Sequence, residues 1–164
     1  MRPDRRTHLV TAGSALSAAL VGSLGTRVHT RWYRELDTPA WQPPGWVFAP
    51  AWTTLYTLGA ISADRALTRS AGADRRRLKG CWVVNLALNT GWSWLFFTAR
   101  RPDVALIDTT LLEASTLDLI RLTRQIDRPA ALLLLPYAGW VAFATALNLE
   151  IVRRSRGGPV PRST

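Results

Sequence analysis

Several residue types are scarce in this chain of 164 residues. The one cysteine, Cys81, excludes an internal disulfide and any metal site built from several cysteines, so no metal is expected. The two histidines, His8 and His29, both lie near the ends of apolar segments, so no helix carries a histidine pair that could ligate a haem iron axially. The sequence also lacks a hydrolytic triad and a nucleotide-binding loop.

Charged side chains are missing from four long runs. Residues 7–26, 47–63, 80–99 and 129–149 contain no Asp, Glu, Lys or Arg, and a fifth apolar run, 104–120, is interrupted by three acids. Each run approaches or reaches the roughly 17–25 residues that cross a bilayer as a helix. Helices of soluble bundles need a polar outer face and rarely carry such runs. The sequence therefore predicts an all-α integral membrane bundle of five transmembrane helices.

We expect one membrane domain over residues 1–152 and a basic, disordered tail over residues 153–164. The helices are placed at about residues 8–28, 46–67, 79–99, 103–123 and 129–152. The charged stretch 71–79 is interpreted as a solvated connection that faces a negative membrane surface. Pro136, in the middle of the fifth helix, is expected to kink it.

The amino-terminal run allows two interpretations. Arg2, Arg5 and Arg6 ahead of an apolar segment also fit a signal peptide. The segment is long and weakly hydrophobic, which favours a retained first helix. Its small residues recur every four positions, a stripe that either permits close helix contact or arises by chance from the abundance of Ala and Gly; they are Ser14, Ala18 and Gly22.

The net charge of +10 would indicate a nucleic-acid partner in a soluble protein. Here the basic residues cluster at the ends of the apolar runs, and no nucleic-acid-binding module is recognisable. We therefore expect a lipid bilayer as partner and no nucleic acid. A small excess of Lys and Arg favours a cytoplasmic amino terminus. The Arg- and Ala-rich composition is typical of high-GC bacteria, so the predicted location is the bacterial cytoplasmic membrane.

One segment combines stiffness with large aromatic side chains, residues 32–56, WYRELDTPAWQPPGWVFAPAWTTLY. It contains four of the eight tryptophans and four of the ten prolines. The prolines remove backbone donors, which excludes regular helix or central strand over residues 36–44. Two interpretations stay open at this point. The segment folds back to cover a space between the helices, or its tryptophans simply lie at the level of the lipid headgroups.

Two amides lie in the third predicted helix. Asn85 and Asn89 are one turn apart, so they share a face, and Trp92 continues that face. Amide groups are costly in lipid and point toward a partner helix or a cavity. This face is therefore expected to lie inside the bundle.

Three acids interrupt the fourth predicted helix. Asp118 precedes Arg121 by three residues and is expected to form an ion pair with it at the interface. Asp108 and Glu113 lie deeper, and a carboxylate inside the membrane is a candidate for function. The alternative, a protonated carboxyl group or one paired with an indole N–H or an amide, stays open.

Three blocks of this sequence resemble the TspO/MBR family, the family of the translocator protein or peripheral-type benzodiazepine receptor. Residues 32–56 resemble its first loop and the start of its second helix, ALNTGWSWLFF its third helix, and LLPYAGWVAFATALN its fifth helix. The blocks follow the order and spacing of the family, whose plan covers about residues 7–152. The resemblance implies a five-helix bundle, commonly a homodimer, in which the long first loop forms a lid over a cavity between the helices.

The resemblance also implies a receptor-like protein that binds porphyrins, other tetrapyrroles and other flat hydrophobic molecules, with no cofactor required. Asp108 in ALID matches an acid of the fourth helix of the family, whereas Glu113 and Asp118 have no counterpart. Without histidine ligation, the expected ligand is a porphyrin without iron or one held by other contacts. Carried over residue by residue, the pocket is lined by Trp32, Pro43, Pro44, Trp52, Tyr56, Asn89, Trp92, Asp108, Trp140, Phe143, Ala144 and Leu147. Charged contacts to porphyrin propionates are expected from Arg27, Arg31 and Arg34.

Two alternative functions remain. Some family members are reported to degrade protoporphyrin oxidatively under light, and Trp52 and Trp140 occupy the positions of the implicated tryptophans. Both are therefore the catalytic candidates, although they can equally form only the wall of the pocket. Porphyrin transport or stress regulation is the further alternative, but the absence of an evident inverted repeat argues against alternating access.

Two departures from the family pattern matter. Leu149 follows Leu147-Asn148 where the cholesterol-recognition segment of eukaryotic members needs an aromatic residue, so cholesterol is not expected as the natural ligand. Thr98 replaces the glycine that follows the paired phenylalanines and is expected to alter the turn before Arg100.

Overall fold

The computed structural model describes residues 5–157, and all regular structure in that range is helical. The helices in chain order are α1 (Arg5–Gly25), α2 (Arg31–Arg34), α3 (Phe48–Arg69), α4 (Gly72–Ser93), α5 (Pro102–Ile126), α6 (Arg128–Leu132) and α7 (Leu135–Gly157). A 3₁₀ turn, Gly45–Val47, precedes α3, and a π-helical turn, Trp94–Thr98, continues α4. The all-helical prediction is confirmed for the described residues.

Two segments are long and apolar enough to cross a membrane by length and composition, Arg5–Gly25 and Arg128–Ser155. Arg128–Ser155 runs through α6 and α7. The five crossings and the lid-like first loop remain predictions.

The helices pack around two adjoining hydrophobic clusters. α5 lies along α4 and α7, and α1 lies along α3 and α4, whereas α3 and α7 touch each other little. The larger cluster includes Leu78, Leu119 and Val141, each at most 1 % exposed. The smaller one contains Phe96 and Phe97 and lies toward the first loop. The weak contact between α3 and α7 leaves a gap on one side of the bundle.

The small-residue stripe of α1 faces α4. Ser14 Oγ accepts a hydrogen bond from Trp82 Nε1 at 3.1 Å, and the carbonyl of Ala18 accepts one from Thr90. A Cβ added at Gly22 would lie 3.7 Å from Ser93 Oγ. The stripe therefore permits close helix contact, as the first of the two interpretations proposed.

Hydroxyl groups on the outer faces of the helices are satisfied within their own helix. On α3, Thr53, Thr54 and Thr57 are exposed, and each donates to the carbonyl four residues earlier at 2.8–2.9 Å. Such bonds leave no donor that needs water, which suits a surface that faces lipid.

Pro136 interrupts the last long helix, as predicted. Proline has no N–H to bond to the residue four before it, and its ring crowds the carbonyl of that residue. α6 ends at that residue, Leu132, and two tight turns follow before α7 begins. The amides of Leu133 and Leu134 there reach back three residues, to Ala130 and Ala131.

The stretch 71–79, interpreted from the sequence as a solvated connection, is instead mostly helix, because α4 begins at Gly72 rather than near residue 79. Arginine and leucine are good helix formers, and Asp74 lies in the first turn, where an acid favours the helix dipole. Arg75 also donates hydrogen bonds to the carbonyl of Leu67 and to Thr7 Oγ1. The charged segment therefore ties α4 to α3 and α1.

Other helix boundaries also differ from the prediction by a few residues. α1 spans Arg5–Gly25, where the prediction was 8–28. α7 continues to Gly157, so the predicted disordered tail is wrong for residues 153–157. Residues 158–164 lie outside the described range, as does Arg2.

Asp127 joins α5, α6 and α3 at one end of the bundle. Its carboxylate accepts from the amide of Ala130 at 3.2 Å, which caps α6, and it forms ion pairs with Arg65 and Arg69 at 3.2 and 3.0 Å. Burial raises the pKa of Asp127, but the amide and the two guanidinium groups outweigh that effect and hold the pKa below its ordinary value. The carboxylate is thus the favoured form in the fold.

Candidate functional site

A chain of hydrogen bonds crosses the centre of the bundle. Tyr56 OH on α3 donates to Asn89 Oδ1 at 2.5 Å, and Asn89 Nδ2 on α4 donates to Tyr137 OH at 2.8 Å. Tyr137 OH on α7 then donates to Asn85 Oδ1 at 3.0 Å. Asn85 Nδ2 donates to Thr116 Oγ1 on α5 at 2.9 Å. Four helices are therefore linked through side chains, and the sequence prediction that both amides point into the bundle is confirmed.

These polar groups are almost completely removed from solvent. Asn85 is 0 %, Asn89 5 % and Tyr137 6 % exposed. A polar group buried without a partner costs free energy, whereas a satisfied network holds its members in fixed positions. These hydrogen bonds therefore fix the positions of the two tyrosines, which border the aromatic residues described next.

Trp52 on α3 lies at the centre of the first aromatic group. The centroid of its ring is 5.8 Å from that of Tyr56, 6.4 Å from that of Tyr137 and 6.3 Å from that of Trp140. The ring of Trp140 is in turn 5.6 Å from that of Phe143, one turn further along α7. Aromatic surface of this extent suits a flat apolar molecule.

The first loop and the start of α3 pack against the part of this aromatic group that lies on α7. Trp41 contacts Phe143 at 5.8 Å between centroids, and Phe48, at the start of α3, contacts Trp140 at 5.8 Å. In the neighbouring cluster, Trp32 of α2 contacts Phe96 at 5.8 Å. The loop segment thus folds back onto the helices, although Trp41 itself is 50 % exposed.

Phe96 also joins Trp92 to this region. The rings of Trp92 and Phe96 stack at 5.1 Å, and Phe97 packs edge-on against both. Phe143 and Leu147 of α7 belong to the same cluster. Phe143 thus connects the two aromatic groups.

An apolar groove of about 500 Å³ opens between α3 and α7, which we call the α3–α7 groove. Thr54 is the only lining residue with a polar side chain besides the indole N–H groups, and its hydroxyl is bonded to the carbonyl of Pro50. The lining residues are Trp46, Val47, Pro50, Ala51, Thr54, Leu55, Pro136, Gly139, Trp140 and Phe143.

A second, much smaller cavity of about 10 Å³ lies deeper. Its lining includes Trp52, Tyr56, Asn85 and Tyr137, so it borders the hydrogen-bonded chain. Leu55 lines both spaces.

Two buried polar atoms near the smaller cluster have no hydrogen-bond partner among the described residues, Trp92 Nε1 and Asp108 Oδ2. Asp108 lies beside α4, since a Cβ added at Gly91 would be 3.6 Å from its Oδ1. An indole donor and a carboxyl oxygen are thus buried without a partner in the described part of the chain. Glu113 Oε2 is also buried and unpartnered in the described range, whereas Asp118 pairs with Arg121 at 2.8 Å, as predicted.

The structure brings most of the twelve predicted pocket residues into connected groups. Trp52, Tyr56, Asn89, Trp140 and Phe143 form one, and Trp32, Trp92 and Leu147 join it through the smaller cluster. The others stand apart from the ring contacts. Pro43 and Ala144 are half-buried, Pro44 is exposed at the start of the turn Gly45–Val47, and Asp108 lies beside Gly91.

Several residues of the site were absent from the predicted set. Asn85 was recognised as inward-facing but was not assigned to the pocket, and Tyr137 was seen only as part of the sequence block around Pro136. The signal for Asn85 was its one-turn spacing from Asn89. Outside the site itself, the sequence did not indicate the residues that line the adjoining groove, among them Trp46, Pro50 and Gly139, because composition does not show where two helices separate. Among residues 5–157, no group of three or more His, Cys, Asp or Glu side chains could hold a metal ion.

The comparisons with known proteins all point to one family. The TspO/MBR family matches residues 10–154. The chain is 34 % identical over 151 residues to the translocator protein of Homo sapiens, with 88 % of this chain and 89 % of that protein covered. It is 37 % identical over 139 residues to the tryptophan-rich protein TspO of Archaeoglobus fulgidus, covering 84 % and 90 %.

A third relative, the tryptophan-rich sensory protein of Cereibacter sphaeroides, is 33 % identical over 132 residues, covering 80 % of this chain and 82 % of that protein. The match spans nearly all of the helices described above, including every element that contributes to the aromatic groups. The chain therefore belongs to the TspO/MBR family and is a membrane protein.

Proposed function

We propose that the protein is a membrane receptor that binds porphyrins and other flat hydrophobic molecules between its helices, beneath the first loop. One observation carries the proposal, the convergence of Trp52, Trp140 and Phe143 beside the α3–α7 groove. A planar macrocycle buries large area against indole and phenyl faces. The α3–α7 groove opens beside these rings, and its volume of about 500 Å³ is large enough to admit such a molecule.

Charged groups at the first-loop end of the bundle suit a ligand that carries carboxylates, as porphyrins do. Arg27 and Arg34 are exposed at the end of the bundle where the first loop lies, and Arg31 is paired there with Glu35 at 2.6 Å. Guanidinium groups bind carboxylates strongly, so propionate substituents would lie toward this end while the macrocycle stacks on the aromatic rings. Trp92 Nε1 and Asp108 Oδ2, which are buried and have no hydrogen-bond partner among the described residues, would bond a polar group of the ligand.

The test is a titration of the detergent-purified protein with protoporphyrin, followed by quenching of tryptophan fluorescence. Wild type is compared with Trp140→Ala and with Trp94→Phe, whose indole lies on the α1 side of α4 and bonds to the carbonyl of Val21. We expect Trp140→Ala to weaken binding about tenfold, which corresponds to roughly 1.4 kcal/mol, and Trp94→Phe to retain wild-type affinity. An unquenched wild-type protein would refute the proposal.

A second candidate is light-dependent oxidative degradation of protoporphyrin, with Trp52 and Trp140 as redox-active residues. The contact between their rings, at 6.3 Å, favours it, because an indole that gives one electron to a light-excited porphyrin would lie next to a second indole that can replace that electron. Trp52→Phe and Trp140→Phe separate the two functions. Loss of light-dependent turnover with retained binding supports catalysis, whereas equal porphyrin loss in wild type, variants and protein-free detergent leaves binding alone.

A further inference from the structure

We infer that the α3–α7 groove is the route by which a flat hydrophobic ligand passes from the lipid bilayer into the aromatic site, with the indole of Trp140 as the partition between the two. This inference rests on the proposed binding function. It adds the source of the ligand, which is the hydrocarbon of one leaflet, and the side of the bundle through which the ligand arrives.

The depth of the groove matches one leaflet. It extends from Trp46, which is 76 % exposed at the end of the bundle, to Leu55 on α3. This distance is about 13 Å at the helical rise of 1.5 Å per residue. The hydrocarbon core of a bilayer is about 30 Å thick, so the groove covers nearly half of it. An exposed tryptophan at its outer end suits the interface between headgroups and hydrocarbon.

The residues on the sides of the groove expose little that needs to be hydrated. Pro50 and Pro136 have no N–H, and Thr54 is bonded within its own helix. Gly139 presents open space, because a Cβ added there would meet no atom within 4 Å. A molecule dissolved in the lipid therefore meets an apolar opening that needs no hydration.

Trp140 separates this opening from the interior. It lines the groove, while Trp52, whose ring it contacts, lines the inner cavity beside Tyr56. The indole of Trp140 is only partly buried. Within residues 5–157 it is held by edge and tilted ring contacts with Phe48 and Phe143 rather than by a hydrogen bond. A rotation of this one side chain would join the groove to the inner space.

The experiment narrows the groove without touching the aromatic rings. Gly139→Leu places a side chain in the open space of the groove. Gly13→Leu is the matched control, since Gly13 is also an exposed glycine inside a long helix with no atom within 4 Å of an added Cβ, but on α1. Each protein is reconstituted in phosphatidylcholine nanodiscs. Protoporphyrin IX association and dissociation are then followed by stopped-flow tryptophan quenching at several ratios of porphyrin to lipid.

For wild type, we expect an association rate that follows the amount of porphyrin in the lipid rather than its aqueous concentration. In Gly139→Leu, both rates should fall by the same factor, about tenfold for a barrier higher by roughly 1.4 kcal/mol, with the dissociation constant unchanged. Gly13→Leu should behave as wild type.

Three results would count against the route, and they are distinguishable. Unchanged rates in Gly139→Leu would show that the ligand arrives elsewhere. Weaker equilibrium binding at an unchanged association rate would show that the groove is where the ligand rests. Absence of quenching in wild type would instead remove the proposed binding function itself.

Discussion

Tyr137 joins α7 to α4 through a single hydroxyl group. The group accepts from Asn89 and donates to Asn85, and the ring above it lies 6.4 Å from that of Trp52. Because both amides are buried, neither could exchange this partner for water. The position of the hydroxyl therefore determines how α7 sits against α4, and with it where the aromatic rings of α7 face α3.

Tyr137→Phe tests this role. The variant keeps the ring but leaves an amide donor and an amide acceptor unsatisfied, which costs about 1–3 kcal/mol. We expect a lower thermal denaturation midpoint in detergent, followed by near-ultraviolet circular dichroism. Tyr33→Phe is the control, since its hydroxyl accepts from Gln42 at the margin of the bundle. An equal loss in both variants would contradict a special role for Tyr137.

At the scale of single residues, the sequence predicted which way a side chain points better than it predicted which residue that side chain bonds. One-turn spacing was enough to place Asn85 and Asn89 on one inward face, since helix geometry alone determines it. Their shared partner, Tyr137, is 52 and 48 residues away along the chain, and no local pattern specifies a contact at that separation. The pairing of Asp118 with Arg121 was predictable because it is local.

At the scale of elements, local chemistry predicted the break in the last helix but not the start of α4. Pro136 acts on the residue four before it, so the end of α6 at Leu132 follows from the sequence. The segment 72–79 looked like a loop because it is charged. Its arginines and leucine nevertheless favour helix, and Arg75 also finds acceptors on α3 and α1, which are contacts between elements. The α3–α7 groove was missed for the same reason, since it is a property of two helices together.

At the junction of α5, α6 and α3, the ion pairs of Asp127 predict how the stability of the protein depends on pH. Its pKa in the fold is below the ordinary value of 3.8. The stability that it contributes is therefore fully present above that value and is lost as the pH falls toward the folded-state pKa. Asp127→Asn keeps an oxygen to cap α6 but removes the charge that Arg65 and Arg69 contact. We expect the variant to be less stable at neutral pH and to lose less stability on acidification.

Thermal denaturation in detergent at neutral pH and at about pH 3 measures this difference. Asp74→Asn, on the exposed start of α4, is the matched control and should follow wild type at both values. If wild type and Asp127→Asn lost the same stability between the two, the ion pairs would make no net contribution.

At the scale of the whole molecule, the basic residues are distributed unequally between the two ends of the bundle. The end with the start of α1 carries Arg5, Arg6, Arg65, Arg69, Arg75, Arg76, Arg77, Lys79, Arg121, Arg124 and Arg128. The end with the first loop carries Arg27, Arg31, Arg34, Arg100, Arg101, Arg153, Arg154 and Arg156. Cytoplasmic segments carry the excess of Lys and Arg, and the excess at the first of these ends agrees with the small bias seen in the sequence. We predict that the first loop faces away from the cytoplasm of a bacterial cell.

Single cysteines test this orientation. Cys81→Ser removes the only cysteine, and Gly45→Cys or Arg76→Cys then reports one end of the bundle. In intact spheroplasts, a membrane-impermeant maleimide should label Gly45→Cys and should label Arg76→Cys only after permeabilisation. The reverse labelling pattern would show that the first loop faces the cytoplasm, and the groove would then lie in the inner leaflet.

The hydrogen-bonded chain through the bundle has a consequence for biosynthesis. The ribosome releases Asn85 and Asn89 about fifty residues before Tyr137, so α4 is made before the tyrosine that bonds both of its amides. During that interval Asn85 Oδ1 and Asn89 Nδ2 have no tyrosine hydroxyl to bond, whereas Asn89 Oδ1 already has Tyr56. The last helix to be made is thus the one that completes the hydrogen bonds across the bundle.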